Sequence, residues 1–325
     1  MQTKQWWLVG VAAAAMIEMP GLAQSQAQYP TQPVTLTVVF AAGGSADLVS
    51  RIVADKLSAK FGQPFVIENR TGGGGEVGMV AVARSAPDGY KLLVTSNGST
   101  AIAGNLRQVS YDAEKDVVPV AMIEKTPCAV AVNASLPIKN IADLVKYSKE
   151  KAGGISYGNS GPGSMFWVAG EIIRHKSGAN MVSVPYRGAA LTARGIRASE
   201  VDMGITDLTS VIPFVQEGKV RILALTDSSR SPVAPDIPTV SEAGLPGLGL
   251  NAWIGVFAPR GTPAQIVEQL NAGINEALKL PEVRQKIMNA GLEPWIMSPQ
   301  EMARFVREEI VLWKNLMREA NVKLE

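Results

Sequence analysis

A glycine-rich turn with the chemistry of an anion site follows the first predicted strand, residues 34–40. It reads Ala41-Ala42-Gly43-Gly44-Ser45-Ala46-Asp47. The apolar spacing of a helix continues after it, at Leu48, Ile52, Val53 and Leu57. Ser45 or Asp47 can cap this helix through a side-chain oxygen. Because such a turn presents backbone N–H groups at the positive end of a helix, it can hold an anion without a basic side chain.

A second turn of similar chemistry, Ser160-Gly161-Pro162-Gly163-Ser164, precedes another predicted helix. A carboxylate lying between the two turns would accept N–H bonds from both, and the negative charge of the ligand would strengthen each bond. The second turn is also open to a purely structural interpretation, as a turn followed by a helix cap. Hydroxyl groups that can add to the binding of a carboxylate are those of Ser45, Thr95, Ser96, Ser160 and Ser164.

Three further polar residues follow predicted strands. Asp207 can accept hydrogen bonds from an amine or hydroxyl of a ligand, or it can cap the next helix. Since an ionised aspartate repels a carboxylate, Asp207 would meet the polar distal end of the ligand. Tyr186 and Arg187 follow another strand; Arg187 can contact a charge directly, or hold its own loop through backbone carbonyls.

Catalytic and metal chemistry finds little support in the sequence. The chain has one cysteine, Cys128, and one histidine, His175. This content does not support an internal disulfide, a Cys/His zinc site or a Cys-His nucleophile. We expect Cys128 in the core and His175 in the solvated last turn of a helix. Glu68 with Asp88 or Asp207 would be an acid/base pair, but nothing in the sequence brings any two together. The sequence therefore predicts no enzyme, no metal site and no cofactor.

A dinucleotide-binding motif is the competing interpretation of another glycine cluster. Gly73, Gly75 and Gly78 have the G-x-G-x-x-G spacing after a strand and before a helix. Four consecutive glycines satisfy many patterns by chance, and no acidic residue stands where the fingerprint needs one, at 95–97. A tight backbone turn is the favoured interpretation.

The composition and the first residues indicate a small-molecule or protein partner outside the cytoplasm. The 31 basic and 29 acidic residues are scattered, so there is no basic stripe for nucleic acid. Lys4 precedes an apolar run, 6–17, that is short for a membrane span. We predict a cleaved signal peptide, residues 1–27, with a retained N-terminal anchor as the alternative.

Alternating strands and helices predict an α/β fold with two mostly parallel sheets flanked by helices. Two α/β units are separated near Cys128, and the terminal elements are expected to return to the first. The predicted lobes are 28–125 with 252–325, and 126–251, joined by two crossings of the chain. Ligands of open α/β sheets bind at the carboxyl ends of strands, so we expect the site in the cleft between the lobes.

Several ordered motifs resemble the Bug-type, TctC-like solute receptors of tripartite tricarboxylate transporters. The likeness covers essentially the whole mature chain, and the segments that carry it are 40–47, 62–70, 83–90, 157–164, 184–188, 201–203 and 236–244. The resemblance implies a periplasmic binding protein with the type II-like two-lobed fold, a monomer that closes on a small carboxylate. It further implies delivery of that solute to the membrane subunits of a transporter, or signalling through a sensor protein.

The substrate class is suggested by a departure from the family pattern. Where many relatives have a polar histidine, this chain has Met165-Phe166-Trp167. Stacking against Phe40, Phe166 or Trp167 would favour an aromatic acid or a long aliphatic diacid, although these rings can equally pack the core. The predicted ligand-binding residues are Phe40, Ala42, Gly43, Gly44, Ser45, Asp47, Thr95, Ser96, Ser160, Gly163, Ser164, Phe166, Tyr186 and Asp207.

Overall fold

The computed structural model describes residues 29–246 and 248–323. The predicted signal peptide lies outside the described residues. The chain forms two β-sheets, each covered by helices, as predicted from the alternation of elements.

The first sheet has six strands in the order β11-β4-β10-β3-β1-β2. Strand β1 pairs in parallel with β2 and β3, whereas β10 is antiparallel to both β3 and β4. The bounds of these strands are β1 Val34–Val38, β2 Phe65–Asn69, β3 Lys91–Ser96, β4 Val117–Thr126, β10 Ala252–Pro259 and β11 Glu293–Pro294.

The second sheet has five strands in the order β7-β6-β8-β5-β9. Strand β6 is parallel to β7 and β8, while β5 runs antiparallel to β8 and β9. The bounds are β5 Cys128–Asn133, β6 Ile155–Asn159, β7 Met181–Pro185, β8 Met203–Asp207 and β9 Val220–Leu225.

Both sheets are mixed, which corrects the prediction of mostly parallel strands. Apart from the short pair of β11 with β4, the antiparallel pairs involve β5 and β10, the strands that the chain forms directly after it crosses from the other sheet. A strand is forced to be parallel to its neighbour when a helical crossover joins the two. Because β5 and β10 enter their sheets from outside, no such connection fixes their direction.

The helices flank the sheets. Helix α1 ends at Gly62, which has φ 68°, a backbone conformation that glycine adopts without strain. The bounds are α1 Ser45–Phe61, α2 Glu76–Ala83, α3 Ala103–Leu106, α4 Ile141–Glu150, α5 Met165–Ser177, α6 Ala189–Arg197, α7 Leu208–Gln216, α8 Ala264–Lys279, α9 Pro281–Asn289 and α10 Pro299–Glu319. A short stretch of π-helix, Gly98–Ile102, leads into α3.

The last helix, α10, packs in the cores of both sheets. Its first half contributes Met302 and Val306 to the cluster that covers one face of the first sheet. Its second half contributes Trp313 and Leu316 to the cluster that contains the core of the second sheet. Helix α10 therefore packs against both sheets, and the assignment of 252–325 to the first lobe stays a prediction.

A buried carboxyl fixes α10 at the point where it passes from one core to the other. Glu309 accepts hydrogen bonds from the indole N–H of Trp253 in β10, at 3.2 Å, and of Trp313, at 2.9 Å. Only 5% of Glu309 is exposed, and burial raises the pKa of its carboxyl. The three side chains thus join β10 to the middle of α10.

Replacing this carboxyl should destabilise the protein. In Glu309→Leu both buried indole N–H groups lose their acceptor, at a cost of about 1–3 kcal/mol for each, partly offset because no carboxyl is then buried. Urea unfolding of the chain from residue 28 onward measures the change. Glu308→Leu, on the neighbouring exposed position, is the matched control and should change the unfolding free energy little. Equal destabilisation by both variants would show that the Glu309 hydrogen bonds contribute nothing.

Candidate functional site

The glycine-rich turn before α1 is held by an aspartate of the helix itself. The Asp47 carboxylate accepts hydrogen bonds from the Gly43 N–H at 2.9 Å, from Arg51 Nε at 3.0 Å and from Asn69 Nδ2 at 2.9 Å. The Arg51 hydrogen bond, with those from Gly43 and Asn69, lowers the pKa of Asp47 to about 2. Asp47 therefore acts as a charged brace beneath the turn.

This brace changes the role predicted for the first turn. The Gly43 N–H is directed to Asp47, so Gly43 contributes shape, with φ 84°, rather than a donor to a ligand. Gly44 is the N-cap of α1, and Ser45 is the first helical residue. The N–H groups in the first turn of a helix have no partner inside it, so those of Ser45 and Ala46 are the donors that α1 offers.

The first turn is open to solvent while the residues on either side are packed. Ala42, Gly43, Gly44 and Ser45 are all exposed, and Asp47 is only 3% exposed. The half-buried Phe40 packs against the cores on both faces of the first sheet, and its carbonyl accepts a hydrogen bond from Asn69 at 3.2 Å. Phe40 thus anchors the start of the turn.

The second turn is held from below in the same manner by Asn159, at the end of β6. Its Oδ1 accepts from the Gly161 N–H at 2.9 Å, and its Nδ2 donates to Ser183 at 2.8 Å. Ser164 caps α5, because its hydroxyl oxygen accepts from the Trp167 N–H at 3.1 Å. The capping interpretation of Ser164 is confirmed. Gly163 has φ 82° at the bend before the cap.

Ser160 differs from Ser164 in having no internal role for its hydroxyl. The Ser160 oxygen is inaccessible to solvent and has no hydrogen-bond partner among residues 29–246 and 248–323. Phe166, in the first turn of α5, is half-buried against the core of the second sheet. A buried hydroxyl beside an N-terminal helix turn is suited to meet a polar group of a ligand.

Asp207 serves as the N-cap of α7. Its Oδ1 accepts from the Ser210 N–H at 2.7 Å, which confirms the capping alternative. Burial raises the pKa of the Asp207 carboxyl. The side chain lies close to Glu124 of the first sheet, whose pKa it raises further, so α7 begins at the junction between the two sheets.

Thr95 and Ser96 do not form one site. Side chains alternate along a strand, so Thr95 and Ser96 face opposite sides of the first sheet. Ser96 lies on the α1 side, in register with Ile254 of β10, and accepts from the Gly98 N–H at 3.2 Å. The buried Thr95 hydroxyl has no partner in the described part of the chain.

The remaining candidate residues either pack within the second lobe or are exposed to solvent. The Tyr186 ring lies over Gly158 and Gly195, and its hydroxyl donates to Glu200 at 3.1 Å. Arg187 is exposed. His175 is exposed in the last turn of α5, and Cys128 is fully buried, both as predicted.

Sequence reasoning missed Glu124, which lies near the end of β4 beneath the first turn. It is fully buried, and one oxygen accepts a long hydrogen bond from Thr126 at 3.4 Å. Burial raises the pKa of Glu124 to about 8, although the hydrogen bond from Thr126 and the nearby hydroxyl of Ser45 act in the opposite direction. The available signal was a single acidic residue directly after the apolar run 117–123.

The neighbouring Lys125 belongs to a buried ionic network at the crossing between the sheets. Its ammonium pairs with Asp227, two residues after the end of β9, and lies 3.5 Å from Glu293 of β11. Ser231 donates to Glu293, which ties the second crossing to the first sheet. Alternation along β4 directs Lys125 away from Glu124, so this network is separate from the turn.

Two surface depressions lie away from these turns. One, of about 420 Å³, is lined by Asn133, Arg197 and Lys219, and the other, of about 290 Å³, by Glu114, Arg260 and Arg307. Neither contains a predicted site residue. The candidate site is therefore defined by its hydrogen-bond donors and buried carboxyls. No cluster of potential metal ligands occurs within the described ranges.

Comparison with known proteins decides the family. The model of the tripartite tricarboxylate transporter family receptor, TctC, matches residues 49–322. The chain belongs to this family. The resemblance inferred from the sequence motifs is confirmed, and with it a solute-binding receptor of the periplasmic binding-protein class.

Related TctC-family proteins align over nearly the full chain. BugT of Bordetella pertussis is 32% identical over 91% of this chain and 92% of its own. The structure of Rpa4515 from R. palustris with adipate has a TM-score of 0.81 at 35% identity, covering 91% of this chain and all 100% of the other. MatC from Rhodopseudomonas palustris with bound malate has a TM-score of 0.76 at 32% identity, covering 89% and 99%.

Other solved structures with a similar fold are described as a periplasmic transporter and as the periplasmic binding protein BugD. In the receptor described here, none of the helices between residues 29 and 323 is long and apolar enough to cross a membrane.

The Asp47 brace should make this TctC-family receptor sensitive to acid. The folded-state pKa, lowered from 3.8 to about 2, corresponds to on the order of 2 kcal/mol of stability at neutral pH. This contribution is complete above the unfolded-state pKa and disappears as the pH falls from about 4 to 2. Asp47→Asn should therefore lower stability at pH 7, and its difference from the unsubstituted protein should shrink over that range.

Chemical unfolding at several pH values measures this effect. Asp55→Asn, an exposed position on the same helix, is the control. A stability difference for Asp47→Asn that is the same at pH 7 and pH 2.5 would rule out the charged brace.

Proposed function

We propose that this receptor captures a small carboxylate between its two lobes and delivers it to the membrane subunits of a tripartite tricarboxylate-type transporter. The observation that carries the proposal is the first turn of α1. Ser45 is exposed and Ala46 is buried next to it, and their N–H groups have no partner inside the helix, while Asp47 and Asn69 hold the turn rigid from below. A preformed donor set at a helix N-terminus favours an anion.

The second lobe supplies a comparable arrangement. Asn159 braces the turn before α5, and the Ser160 hydroxyl has no acceptor or donor among the described residues. A carboxylate that bonds to both turns would stabilise the closed arrangement of the lobes. Because a ligand that contacts both lobes binds the closed state more tightly than the open state, its binding favours closure of a two-lobed receptor.

A dicarboxylate is the favoured ligand class, with an aromatic acid as the second candidate. Two related structures contain adipate and malate, which are both dicarboxylates. Phe40 and Phe166 are half-buried at the two turns, so their rings can cover the apolar chain of a long diacid. These contacts involve no chemical step, and we propose a binding protein rather than an enzyme.

The division into lobes follows the two crossings of the chain. We propose that 28–125 with 252–325 forms the first lobe and 126–251 the second, with α10 packed against both. We further propose that residues 1–27 direct export to the periplasm, where the mature receptor acts as a monomer.

A ligand screen tests the function. The mature protein, residues 28–325, would be heated with mono-, di- and tricarboxylates, aromatic acids, amino acids and nicotinamide. A ligand at 100 times its Kd adds roughly 2.7 kcal/mol to the folded state, a clear rise in Tm. We expect the largest rise with adipate or another diacid; no rise with any acid would overturn carboxylate binding. Uptake of the labelled acid by cells lacking the gene then tests delivery.

A backbone substitution tests the donors of α1. Ser45 occupies the first helical position, where proline is well tolerated, and Gly44 before it has φ −80° and ψ 174°, which suit a residue preceding proline. Ser45→Pro therefore removes one N–H with little strain. Since hydrogen bonds to charged groups contribute about 1.5–3 kcal/mol, we expect a loss of roughly 10- to 150-fold in affinity for the acid.

Ser45→Ala is the matched control, because it removes the hydroxyl and keeps the N–H. Titration calorimetry at constant pH compares the two variants. Equal affinities of Ser45→Pro and Ser45→Ala would show that the α1 donors do not hold the ligand.

A further inference from the structure

The buried carboxyl of Glu124 has one oxygen that the protein itself does not use. Oε1 accepts from Thr126, whereas Oε2 has no hydrogen-bond partner within residues 29–246 and 248–323. The residue is 0% exposed. A buried polar atom without a partner is costly, so Glu124 needs a role other than stabilising the fold.

The position of Glu124 links it to the candidate site. Its register partner on β10 is Ile254, which also faces Ser96 of β3, so Ser96 and Glu124 share the face of the first sheet that α1 covers. The exposed Ser45, at the start of α1, is close enough for its hydroxyl to lower the pKa of the Glu124 carboxyl. Glu124 therefore lies directly beneath the donor turn.

The second lobe also reaches Glu124. Asp207, the cap of α7, is close enough for its charge to disfavour ionisation of Glu124. Two residues further on, in α7, the backbone of Thr209 lies close to Gly291 of the first lobe. A Cβ on Gly291 would lie 3.3 Å from the Thr209 Cα. The carboxyl thus sits at the seam between the lobes, where a ligand held by both lobes would lie.

The charge state of Glu124 decides what it can recognise. Burial raises the pKa of Glu124 to about 8, which favours the neutral carboxyl at pH 7. A neutral carboxyl has one O–H donor, and Oε2 is the oxygen without a partner in the described part of the chain. Neither Lys125 nor Arg51 compensates its charge, because Lys125 faces the other side of β4, towards Asp227, and Arg51 is bound to Asp47. A neutral acid donating to a carboxylate forms a short, strong hydrogen bond.

We propose that Glu124 is a specificity-determining residue that donates a hydrogen bond from its unused oxygen to a carboxylate oxygen of the bound acid. The inference rests on the proposed function, because it requires that the ligand be an acid. Protonated Glu124 then selects ligands that present a hydrogen-bond acceptor to the floor of the cleft. It disfavours ligands that present an ammonium or amide N–H there, and this preference is lost when Glu124 ionises.

The pH dependence of binding tests the proposal without any substitution. The probe is adipate, or the acid with the largest Tm rise in the screen, which is fully ionised from pH 6.5 upward. Affinity by titration calorimetry should be constant from pH 6.5 to 7.5 and fall above pH 8, by up to tenfold per pH unit, as Glu124 loses its proton. Affinity that is constant to pH 9.5, or that rises, would overturn the proposal.

Two substitutions assign the effect to Glu124. Glu124→Gln keeps a donor that cannot titrate, so we expect affinity within about threefold at pH 7 and no fall above pH 8. Glu124→Leu removes the donor and should lower affinity roughly 5- to 150-fold. Circular dichroism and Tm confirm that each variant folds.

Asp207→Asn is the matched control for the other acid at the seam, and it should retain the fall in affinity above pH 8. If the fall persists in Glu124→Gln and disappears in Asp207→Asn, Asp207 is the responsible group and the proposal is wrong. If the unsubstituted protein binds no acid at all, the proposed function fails. If it binds an acid with an affinity that does not depend on Glu124, the proposed function stands and only the role of Glu124 is wrong.

Discussion

The unsatisfied N–H groups at the start of α1 set the requirements for the rest of the site. A helix cannot satisfy its first N–H groups internally, and an exposed glycine turn before it has little to keep it in place. The protein uses Asp47 to bind Gly43, and it uses Arg51 and Asn69 to keep Asp47 charged and oriented. The turn is thus rigid before a ligand arrives, and the N–H groups nearest to solvent remain for the ligand.

The turn in the second lobe is organised in the same way. Asn159 holds its turn, Ser164 caps the helix, and the buried Ser160 hydroxyl forms no hydrogen bond with any described residue. Each turn therefore combines a side chain that fixes the backbone with a neighbouring group that is left for recognition. Rigid donors raise affinity because less conformational entropy is lost on binding.

The elements with simple local signals were predicted well from the sequence. The strand and turn that lead into α1, and the spacing that predicts α5, appear nearly as expected because period and capping residues act locally. Strand β4 was missed because Pro119 and Glu124 interrupt its apolar run, and α7 because Pro213 lies inside it. In both cases tertiary packing overrides a residue that is unfavourable in isolation.

The predicted site residues show a similar limit. Glycines and serines in a turn indicate where donors lie, but they do not reveal which donors the protein uses itself, as Gly43 and Ser164 show. The strand direction of β5 and β10, and the place of Glu124 under the turn, depend on contacts between distant segments. Such contacts carry no short-range signature in the sequence.

The path of α10 makes the two lobes interdependent in assembly. The core of the second sheet is built mostly from the middle of the chain, yet it includes Trp313 and Leu316 from near its end. During synthesis that core therefore lacks two large side chains until the last helix has been made. Neither lobe is a separate folding unit in this sense, and a chain cut short before residue 313 would leave apolar surface uncovered in a lobe whose own strands are all present.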